Sequence, residues 1–240
     1  MKLQINARHG LLGLLLWSIT GCSTSTSNIE VSILEDITDT LFAQPSCQDV
    51  FTVAQLDSTS LANIKVVCNT ISDYEYNKSY SAELPEKSLL LSNPGERVKE
   101  IQDFKAQVAE NISRINTGDN RRPQSNIYSV IVRESNRLAV SKAKRKICIV
   151  YSDLAENTSE FSIYRQADMA LIDKQPKQVK QFFERKSKPG NLTGISLYII
   201  YQAKSIKDNA MFARISEIYK QIFNSAGAEV YIGANVPSSE

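Results

Sequence analysis

The sequence predicts an α/β protein with a doubly wound, mostly parallel sheet of six strands and helices on both faces. Three observations lead to this fold class. Short runs of β-branched and aromatic residues alternate with longer segments in which apolar residues recur every three or four positions. Two of the short runs, 147–150 and 195–201, are almost continuously apolar, which is typical of parallel strands covered on both faces. The chain contains no internal repeat, and its length leaves room for one sizeable core, which favours one domain over two.

Six runs are predicted to be strands because they are short, rich in β-branched or aromatic residues, and flanked by polar, Gly or Pro residues. In chain order they are 29–35 (IEVSILE), 63–72 (NIKVVCNTIS), 88–92 (SLLLS), 146–151 (KICIVY), 194–201 (GISLYIIY) and 229–233 (EVYIG). Amphipathic segments separate most of these runs, as a doubly wound sheet requires.

Four amphipathic helices are predicted from apolar residues spaced by three and four positions. The first follows the sequence NPG at 93–95, the second follows Asn126 and the third follows Pro176. The last is the most regular, and its apolar residues are Phe212, Ile215, Ile218, Tyr219, Ile222 and Phe223. Gly227 comes directly after this helix, and we expect it to form the C-cap.

The first 21 residues have the pattern of an export signal. Lys2 and Arg8 precede an apolar segment at 11–19, which is shorter than the roughly 20 apolar residues that a membrane-spanning helix needs. The segment ends in the sequence ITGC at 19–22, which resembles the bacterial lipobox, where an aliphatic residue and two small ones precede a cysteine. The resemblance implies that Cys22 becomes the lipidated first residue of the mature chain, with palmitate among its acyl groups.

The predicted organisation therefore has four parts. They are a signal peptide (1–21), a lipidated flexible tether (22–28), one α/β domain (29–236) and a short tail (237–240). Ser23, directly after the lipidated cysteine, resembles sorting to the outer membrane of Gram-negative bacteria. We expect a protein of the bacterial cell envelope that a lipid anchors to the outer membrane, on its periplasmic or surface face. An ordinary secretory signal with an unrelated cysteine is the alternative.

Loss of the signal would also remove the only histidine, His9. Removal of the 21-residue signal would leave 219 of the 240 residues. A mature chain without histidine could not use a Ser-His-Asp or Cys-His mechanism, and it could not form a zinc site with histidine ligands. Removal of Lys2 and Arg8 would reduce the number of basic residues from 28 to 26, which equals the number of acidic residues. A formal charge of zero argues against a protein that binds nucleic acid.

Three cysteines would remain in the mature chain beside the lipidated one. Because their number is odd, at most one disulfide can form among them. Cys148 lies in the apolar run 147–150 and is interpreted as a small buried side chain. Cys47 and Cys68 are the predicted pair if a disulfide exists.

Polar side chains converge at the carboxyl ends of two predicted strands. Asp36, Thr38 and Thr40 follow the first strand, Asp153 ends the fourth, and Ser125 precedes a helix between them. Ligands of doubly wound sheets bind at the carboxyl ends of the strands. Carboxylate and hydroxyl oxygens, without nitrogen or sulfur, suit Mg²⁺, Mn²⁺ or Ca²⁺. The sequence therefore predicts a divalent-metal site at this edge of the sheet.

These residues, in this order, resemble the von Willebrand factor A (vWA) domain and its metal-ion-dependent adhesion site. The resemblance covers most of the predicted domain. It implies that Thr38 and Thr40 ligate the metal directly and that Ser125 takes the place of the family's threonine. It also implies that Asp36 and Asp153 hold the metal largely through water, and that one position stays open for a carboxylate of a protein partner.

The predicted function is a lipid-anchored binding module that engages a protein partner through this metal, and not an enzyme. Asp39 stands where many vWA domains have glycine, so a metal-free interaction or scaffold protein of the same fold is an alternative. A Mg²⁺-dependent hydrolase is a third possibility, in which a carboxylate such as Glu35 or Asp36 would act. The residues at 36–40 and Asp153 could also simply cap helices.

Overall fold

A computed structural model gives the fold of the chain. It describes residues 28–38, 40–57, 59–72, 77–88, 93–116 and 124–237. The predicted signal peptide, the lipidation site Cys22 and the tether up to residue 27 lie outside the described residues, and so does Asp39. Within the part of the chain that is described, no helix is both long and apolar enough to cross a membrane.

A six-stranded sheet forms the centre of the domain. Its strands are β1 (Ile29–Asp36), β2 (Ile64–Ile71), β3 (Ser79–Leu84), β4 (Arg145–Tyr151), β5 (Ile195–Ile200) and β6 (Glu229–Gly233). The order across the sheet is β3-β2-β1-β4-β5-β6, and β3 is antiparallel to β2 while the other pairs are parallel. The predicted α/β fold with a mostly parallel six-stranded sheet is confirmed.

Helices cover both faces of the sheet. They are α1 (Cys47–Ala54), α2 (Pro94–Asn116), α3 (Ile127–Ala139), α4 (Gln166–Lys174), α5 (Pro176–Lys186) and α6 (Ile206–Ser225). The rings of Phe51 and Phe104 join α1 to α2 on one face, with centroids 6.2 Å apart. On the other face Tyr128 of α3 packs against Phe183 of α5 and Tyr219 of α6.

The four predicted helices are confirmed as α2, α3, α5 and α6. The C-cap of α6 is Ala226 and not Gly227 as predicted. Gly227 is the next residue, with φ +99°, and a Cβ at this position would come within 2.7 Å of Thr193 Oγ1. Both the backbone angle and the lack of space therefore require glycine there. Helices α1 and α4 are not predicted from the sequence, and they have only eight and nine residues. Periodicity is weak evidence over so few positions.

The third strand differs from the prediction. The structure places β3 at Ser79–Leu84, a half-exposed edge strand in which Ala82 and Leu84 are buried. The predicted strand 88–92 lies outside the described residues apart from Ser88, which belongs to no strand. The sequence of β3, SYSAEL, is polar enough to read as a loop.

A buried polar network fixes α3 on β1. Ser32 Oγ donates to Glu134 Oε1 at 2.5 Å, and Arg137 pairs with both Glu134 and Glu30 at 2.7 and 2.6 Å. Two carboxylates share one guanidinium, so each charge in this half-buried region has a partner. The network fixes the second half of α3 against the first half of β1.

The three described cysteines, Cys47, Cys68 and Cys148, are free. Burial raises the pKa of the Cys68 thiol to about 12, and it also raises the pKa of the fully enclosed Cys148. Cys47 is only partly buried, at the first position of α1. Burial raises the pKa of Cys47 as well. Exposure therefore separates the three thiols: a reagent can reach the partly exposed Cys47, whereas Cys68 and Cys148 are buried.

We therefore expect one fast and two slow thiols when a chain beginning at Ser23 is treated with a thiol-specific reagent. Cys47 should react first, and Cys68 and Cys148 only after addition of denaturant. Replacement of Cys47 by Ser should remove the fast phase. Absence of a fast phase in the wild type, with recovery of two thiols on reduction, would instead show a disulfide.

Candidate functional site

Asp36 lies at the carboxyl end of β1 and is held on both carboxylate oxygens. Its Oδ1 accepts hydrogen bonds from the Thr38 amide at 3.0 Å and the Thr38 hydroxyl at 2.6 Å. Its Oδ2 accepts from Ser152 Oγ at 2.8 Å. Because side chains alternate along a strand, Asp36 is on the same face as Ser32, which contacts α3. The carboxylate is thus aimed toward α3 and only 2% exposed.

Ser125 joins this group from the segment before α3. Its hydroxyl oxygen lies 3.1 Å from Thr38 Oγ1, within hydrogen-bond distance. The backbone of Ser125 pairs in both directions with Asn157, with both N–H···O distances 2.9 Å. This two-way pairing attaches the segment before α3 to the loop that follows β4. Two residues far apart in the sequence, Thr38 and Ser125, are therefore brought together as predicted.

Asp153 follows β4, the neighbour of β1 in the sheet. In the register of β1 and β4, Glu35 pairs with Tyr151. Asp36 therefore lies beside Ser152, and Asp153 is the next residue after Ser152. Asp153 Oδ1 accepts from the Ala155 amide at 2.8 Å, and its side chain is buried. Both predicted carboxylates therefore reach the same edge of the sheet.

The loop after β4 contains a strained residue. Leu154 has φ +58°, a left-handed conformation that costs a residue with a Cβ roughly 1–2 kcal/mol. Its amide donates to Ser152 Oγ at 2.9 Å, and its side chain is fully buried. The hydrogen bond and the buried leucine hold the turn that directs Ser152 and Asp153 toward β1. Strain of this kind is concentrated at functional sites.

Thr40, the remaining predicted ligand, is exposed in the loop after Thr38. The helix-capping interpretation of this region is wrong, since the next helix is α1, which begins at Cys47 with Ser46 as its N-cap. Asp153 likewise starts no helix, because α4 begins only at Gln166.

A buried carboxylate that the sequence analysis missed anchors the loop after β4. Glu156 is 0% exposed, and its Oε2 accepts from the Tyr128 amide at 3.0 Å in the first turn of α3. Its Oε1 lies 3.1 Å from Lys186 Nζ. Burial raises the pKa of Glu156. The charge of Lys186 and the hydrogen bonds from backbone N–H groups of α3 lower this pKa, but their effect is smaller. We call the contacts of Glu156 with α3 and Lys186 the Glu156 anchor.

A tyrosine hydroxyl within electrostatic range of Glu156 and the two aspartates has no hydrogen-bond partner among the described residues. Tyr219 of α6 is fully buried. Burial raises its pKa well above the usual value, and the neighbours that add to this are, in decreasing order, Glu156, Tyr128, Asp36 and Asp153. An orphaned buried hydroxyl is costly, so its position near two carboxylates calls for a polar ligand or water there.

Glu35, a candidate in the hydrolase interpretation, points to the opposite face of the sheet from Asp36. On that face it meets Asn116 of α2. When the side-chain amide of Asn116 is oriented as the donor, the amide nitrogen lies 2.9 Å from Glu35 Oε1. Burial, and then the charge of Asp36, raise the pKa of Glu35 to about 7. Glu35 therefore lies on the other side of the sheet from Asp36 and the groups that contact it.

No family model and no curated protein matches the sequence. Among solved structures, the fold resembles a point mutant of the PilB minor pilin from Streptococcus sanguinis, with a TM-score of 0.45 and 11% identity over 88% of this chain. The chain spans 58% of the length of that pilin chain. Similarity at this level carries no inference about function, so the side chains themselves must supply it.

Replacement of Glu156 by Ala should lower the free energy of unfolding by about 2–4 kcal/mol, because the first turn of α3 and Lys186 lose a buried acceptor. Glu160 is the matched control, since it also faces Lys186, at 3.9 Å, but is 62% exposed. Glu160→Ala should change stability by less than about 0.5 kcal/mol. Urea unfolding measures both, and equal effects of the two substitutions would contradict the Glu156 anchor.

The raised pKa of Glu35 predicts a pH-dependent stability. The folded chain holds a proton on Glu35 up to about pH 7, whereas an unfolded chain loses it near the ordinary glutamate pKa of 4.5. The folded state thus binds more protons in this window, and stability must fall as pH rises through it. Relative to the wild type, Glu35→Gln should gain about 1–3 kcal/mol between pH 5 and pH 8.

Urea unfolding in EDTA at several pH values measures this gain. A difference between wild type and Glu35→Gln that stays constant across the pH range would show that Glu35 ionises normally in the folded protein.

Proposed function

We propose that this protein is a lipid-anchored binding module of the bacterial cell envelope that engages a protein partner through a divalent cation. The cation would be held by Asp36, Thr38, Thr40, Ser125 and Asp153, as the resemblance to the vWA domain implies. The observation that carries the proposal is the meeting of Asp36, Thr38 and Ser125, from two separate segments, through contacts of 2.6 and 3.1 Å.

The chemistry of the donor set supports a hard cation. Every candidate group offers oxygen, and Mg²⁺, Mn²⁺ and Ca²⁺ prefer oxygen ligands. The described residues contain no cluster of three or more acidic, histidine or cysteine side chains suited to a metal, so hydroxyl groups would have to complete the site. The orphaned hydroxyl of Tyr219 fits a water molecule carried by the cation. With two described carboxylates, we expect a modest affinity.

In this proposal each side chain has a limited task. Thr38, Thr40 and Ser125 present hydroxyl oxygens, while Asp36 and Asp153 supply negative charge from buried, hydrogen-bonded positions. When bound, the cation supplies a positive charge that can accept a carboxylate of the partner. Ser152 keeps Asp36 in place through its hydrogen bond to Oδ2.

The topology suits a lipid anchor at Cys22. Five of the six strands run in parallel, so their amino ends lie at the sheet edge opposite the candidate site. β1 begins at Ile29, directly after the predicted tether 22–28. A chain anchored through this tether would therefore present Asp36 and its neighbours away from the membrane, toward a partner.

A metal-free interaction protein is the second candidate. It is favoured by the hydrogen bonds that Thr38 and Ser152 already make to both oxygens of Asp36. Such bonds satisfy a buried carboxylate without any cation. In this case the same edge of the sheet would bind its partner in the presence of a chelator.

Cation binding is tested by thermal unfolding of a chain beginning at Ser23 in EDTA and in millimolar Mg²⁺, Mn²⁺ or Ca²⁺. A site filled at 100 times its Kd adds about 2.7 kcal/mol, which raises Tm by about 5–10 °C for a domain of this size. Asp36→Asn keeps the shape of the side chain but removes its charge, so the rise should disappear. Asp103→Asn, on the exposed surface of α2, is the matched control and should keep the rise.

The two candidate functions predict different results. A rise in Tm that Asp36→Asn abolishes and Asp103→Asn retains supports the cation site. No rise with any of the three ions, or an equal rise in Asp36→Asn, would overturn it and leave the metal-free interaction protein.

A further inference from the structure

The loops that lead into β4, β5 and β6 form one continuous surface at the edge of the sheet opposite the candidate site. These loops are the segments 140–144, 187–194 and 226–228. Asn136 of α3 fixes the second loop, since its Nδ2 donates to the Lys188 carbonyl at 3.3 Å and its Oδ1 accepts from the Gly190 amide at 2.8 Å. The Leu192 amide donates to the Ala226 carbonyl at 2.8 Å and joins the third loop. We call the three loops, with the last turn of α5, the amino-edge surface.

The chain enters the domain within the amino-edge surface. The Asn28 carbonyl accepts from the amides of Lys144 and Arg145 at 2.9 and 3.1 Å, so the residue before β1 is fixed beside the loop 140–144. The predicted tether ends at this residue. Even fully extended, the chain from Cys22 to Asn28 reaches at most about 20–25 Å. An anchor at Cys22 would therefore hold the amino-edge surface close to the bilayer.

The exposed charges of the amino-edge surface are mainly positive. Its four exposed cations are Lys142, Lys144, Arg185 and Lys188. Lys142, Arg185 and Lys188 make no ion pair with any described residue. Two further cations lie at the start of β4, and both donate to backbone carbonyls: Arg145 to Val53 and Ala54, and Lys146 to Ala139. Their charges therefore add to the positive charge of the surface.

The carboxylates of this region do not balance its cations. The two carboxylates of the buried network share Arg137, and Glu184 lies 3.8 Å from Lys180. Glu229 is exposed at the first position of β6, where it accepts from the Tyr231 hydroxyl. One exposed carboxylate thus stands against four exposed cations. The exposed charged side chains at the end of β3 are acidic, so the positive charge is confined to the β4–β6 half of this edge.

A cleft and one apolar side chain complete the amino-edge surface. The cleft lies between the ends of α5 and α6, has a volume of about 450 Å³, and is lined by Arg185, Lys188 and Ser225 among others. Ligand-binding clefts commonly have volumes of about 300–1,000 Å³, so a polar headgroup can enter it with its phosphate toward the two cations. Val140 is 84% exposed in the loop that carries Lys142. An apolar side chain beside cations suits the boundary between headgroups and acyl chains.

We propose that the amino-edge surface binds the anionic headgroups of membrane phospholipids and thereby orients the anchored domain. The four exposed cations would face lipid phosphates, and Val140 would enter the headgroup layer. The inference rests on the proposed function only in taking the chain to be anchored at Cys22. With this edge on the membrane, Asp36 and its neighbours at the opposite edge face away from it, toward a partner.

The number of cations suits a membrane that is already close. Attraction to anionic lipid takes clusters of about 4–8 basic residues and acts over about 10 Å at 0.1 M salt. A short tether makes the contact intramolecular, so that weak attraction is enough. The negative ends of α3 and α5 act within the last turn of each helix, and Lys142 and Lys188 lie beyond those ends. An acidic protein fits less well, because the tether would hold this edge against the bilayer.

Sedimentation with sucrose-loaded vesicles tests the proposal with a chain beginning at Ser23, in EDTA. The protein should bind vesicles that contain phosphatidylglycerol in about 50 mM salt, leave them in about 500 mM salt, and not bind phosphatidylcholine alone. Lys142→Glu combined with Lys188→Glu should weaken binding at least about tenfold, because each cation near the surface contributes roughly a fivefold factor. Lys177→Glu combined with Lys207→Glu is the matched control. These exposed lysines begin α5 and α6 at the opposite edge, so the same change of net charge should leave binding unaltered.

Each other result counts against the surface. No binding to the anionic vesicles, equal binding to neutral ones, or an equal loss in the two double variants would overturn the proposal. So would binding to immobilised acidic peptides without binding to vesicles, which would assign the surface to a protein. Since EDTA removes divalent ions, the outcome is independent of the cation site. The mass of the mature amino-terminal peptide shows separately whether Cys22 is acylated, so an acylated chain without vesicle binding keeps the anchor and loses the surface.

Discussion

The candidate site depends on the two-way backbone pairing of Ser125 with Asn157. The N–H and C=O groups of these two residues form two hydrogen bonds that join the segment before α3 to the loop after β4. The Glu156 anchor ties the same two elements together one residue away, because its buried carboxylate accepts from the first turn of α3. The junction fixes the segment that contains Ser125, whose hydroxyl oxygen lies 3.1 Å from Thr38 Oγ1.

The junction also explains why polar groups are tolerated in an otherwise apolar interior. Asp36, Asp153 and Glu156 are all buried, and each accepts at least one hydrogen bond. Asp36 accepts from Ser152 and Glu156 from Tyr128, both in other segments, while Asp153 accepts from Ala155 in its own loop. Buried carboxylates are stable only when they are paired in this way. The left-handed Leu154 is the local strain that accompanies the arrangement. A site held by rigid elements presents its ligands in a fixed geometry, which binding of an ion or of a partner requires.

The elements that could be predicted are those in which a strong local pattern and the tertiary structure agree. The apolar strands β1, β4 and β5 and the regular helix α6 are of this kind. Asp36 and Asp153 could be placed because strand ends follow from the strands, and Ser125 because it precedes a predicted helix. The edge strand β3 was missed because an exposed edge carries a polar sequence. Ser152 and Glu156 were missed for another reason. Each is a single polar residue whose hydrogen-bond partner is distant in the sequence, 116 positions away for Ser152 and 28 for Glu156. Tyr219 was missed because its hydroxyl has no partner among the described residues that a sequence pattern could reveal.

The most direct test of the account is a crystal of the chain beginning at Ser23 grown with Mn²⁺ and measured at a wavelength where manganese scatters anomalously. The account predicts an anomalous peak between the Thr38 and Ser125 hydroxyls and the carboxylates of Asp36 and Asp153, and its loss in Asp36→Asn. A well-ordered junction with no peak at that position, or with manganese bound only elsewhere, would contradict the cation-dependent function.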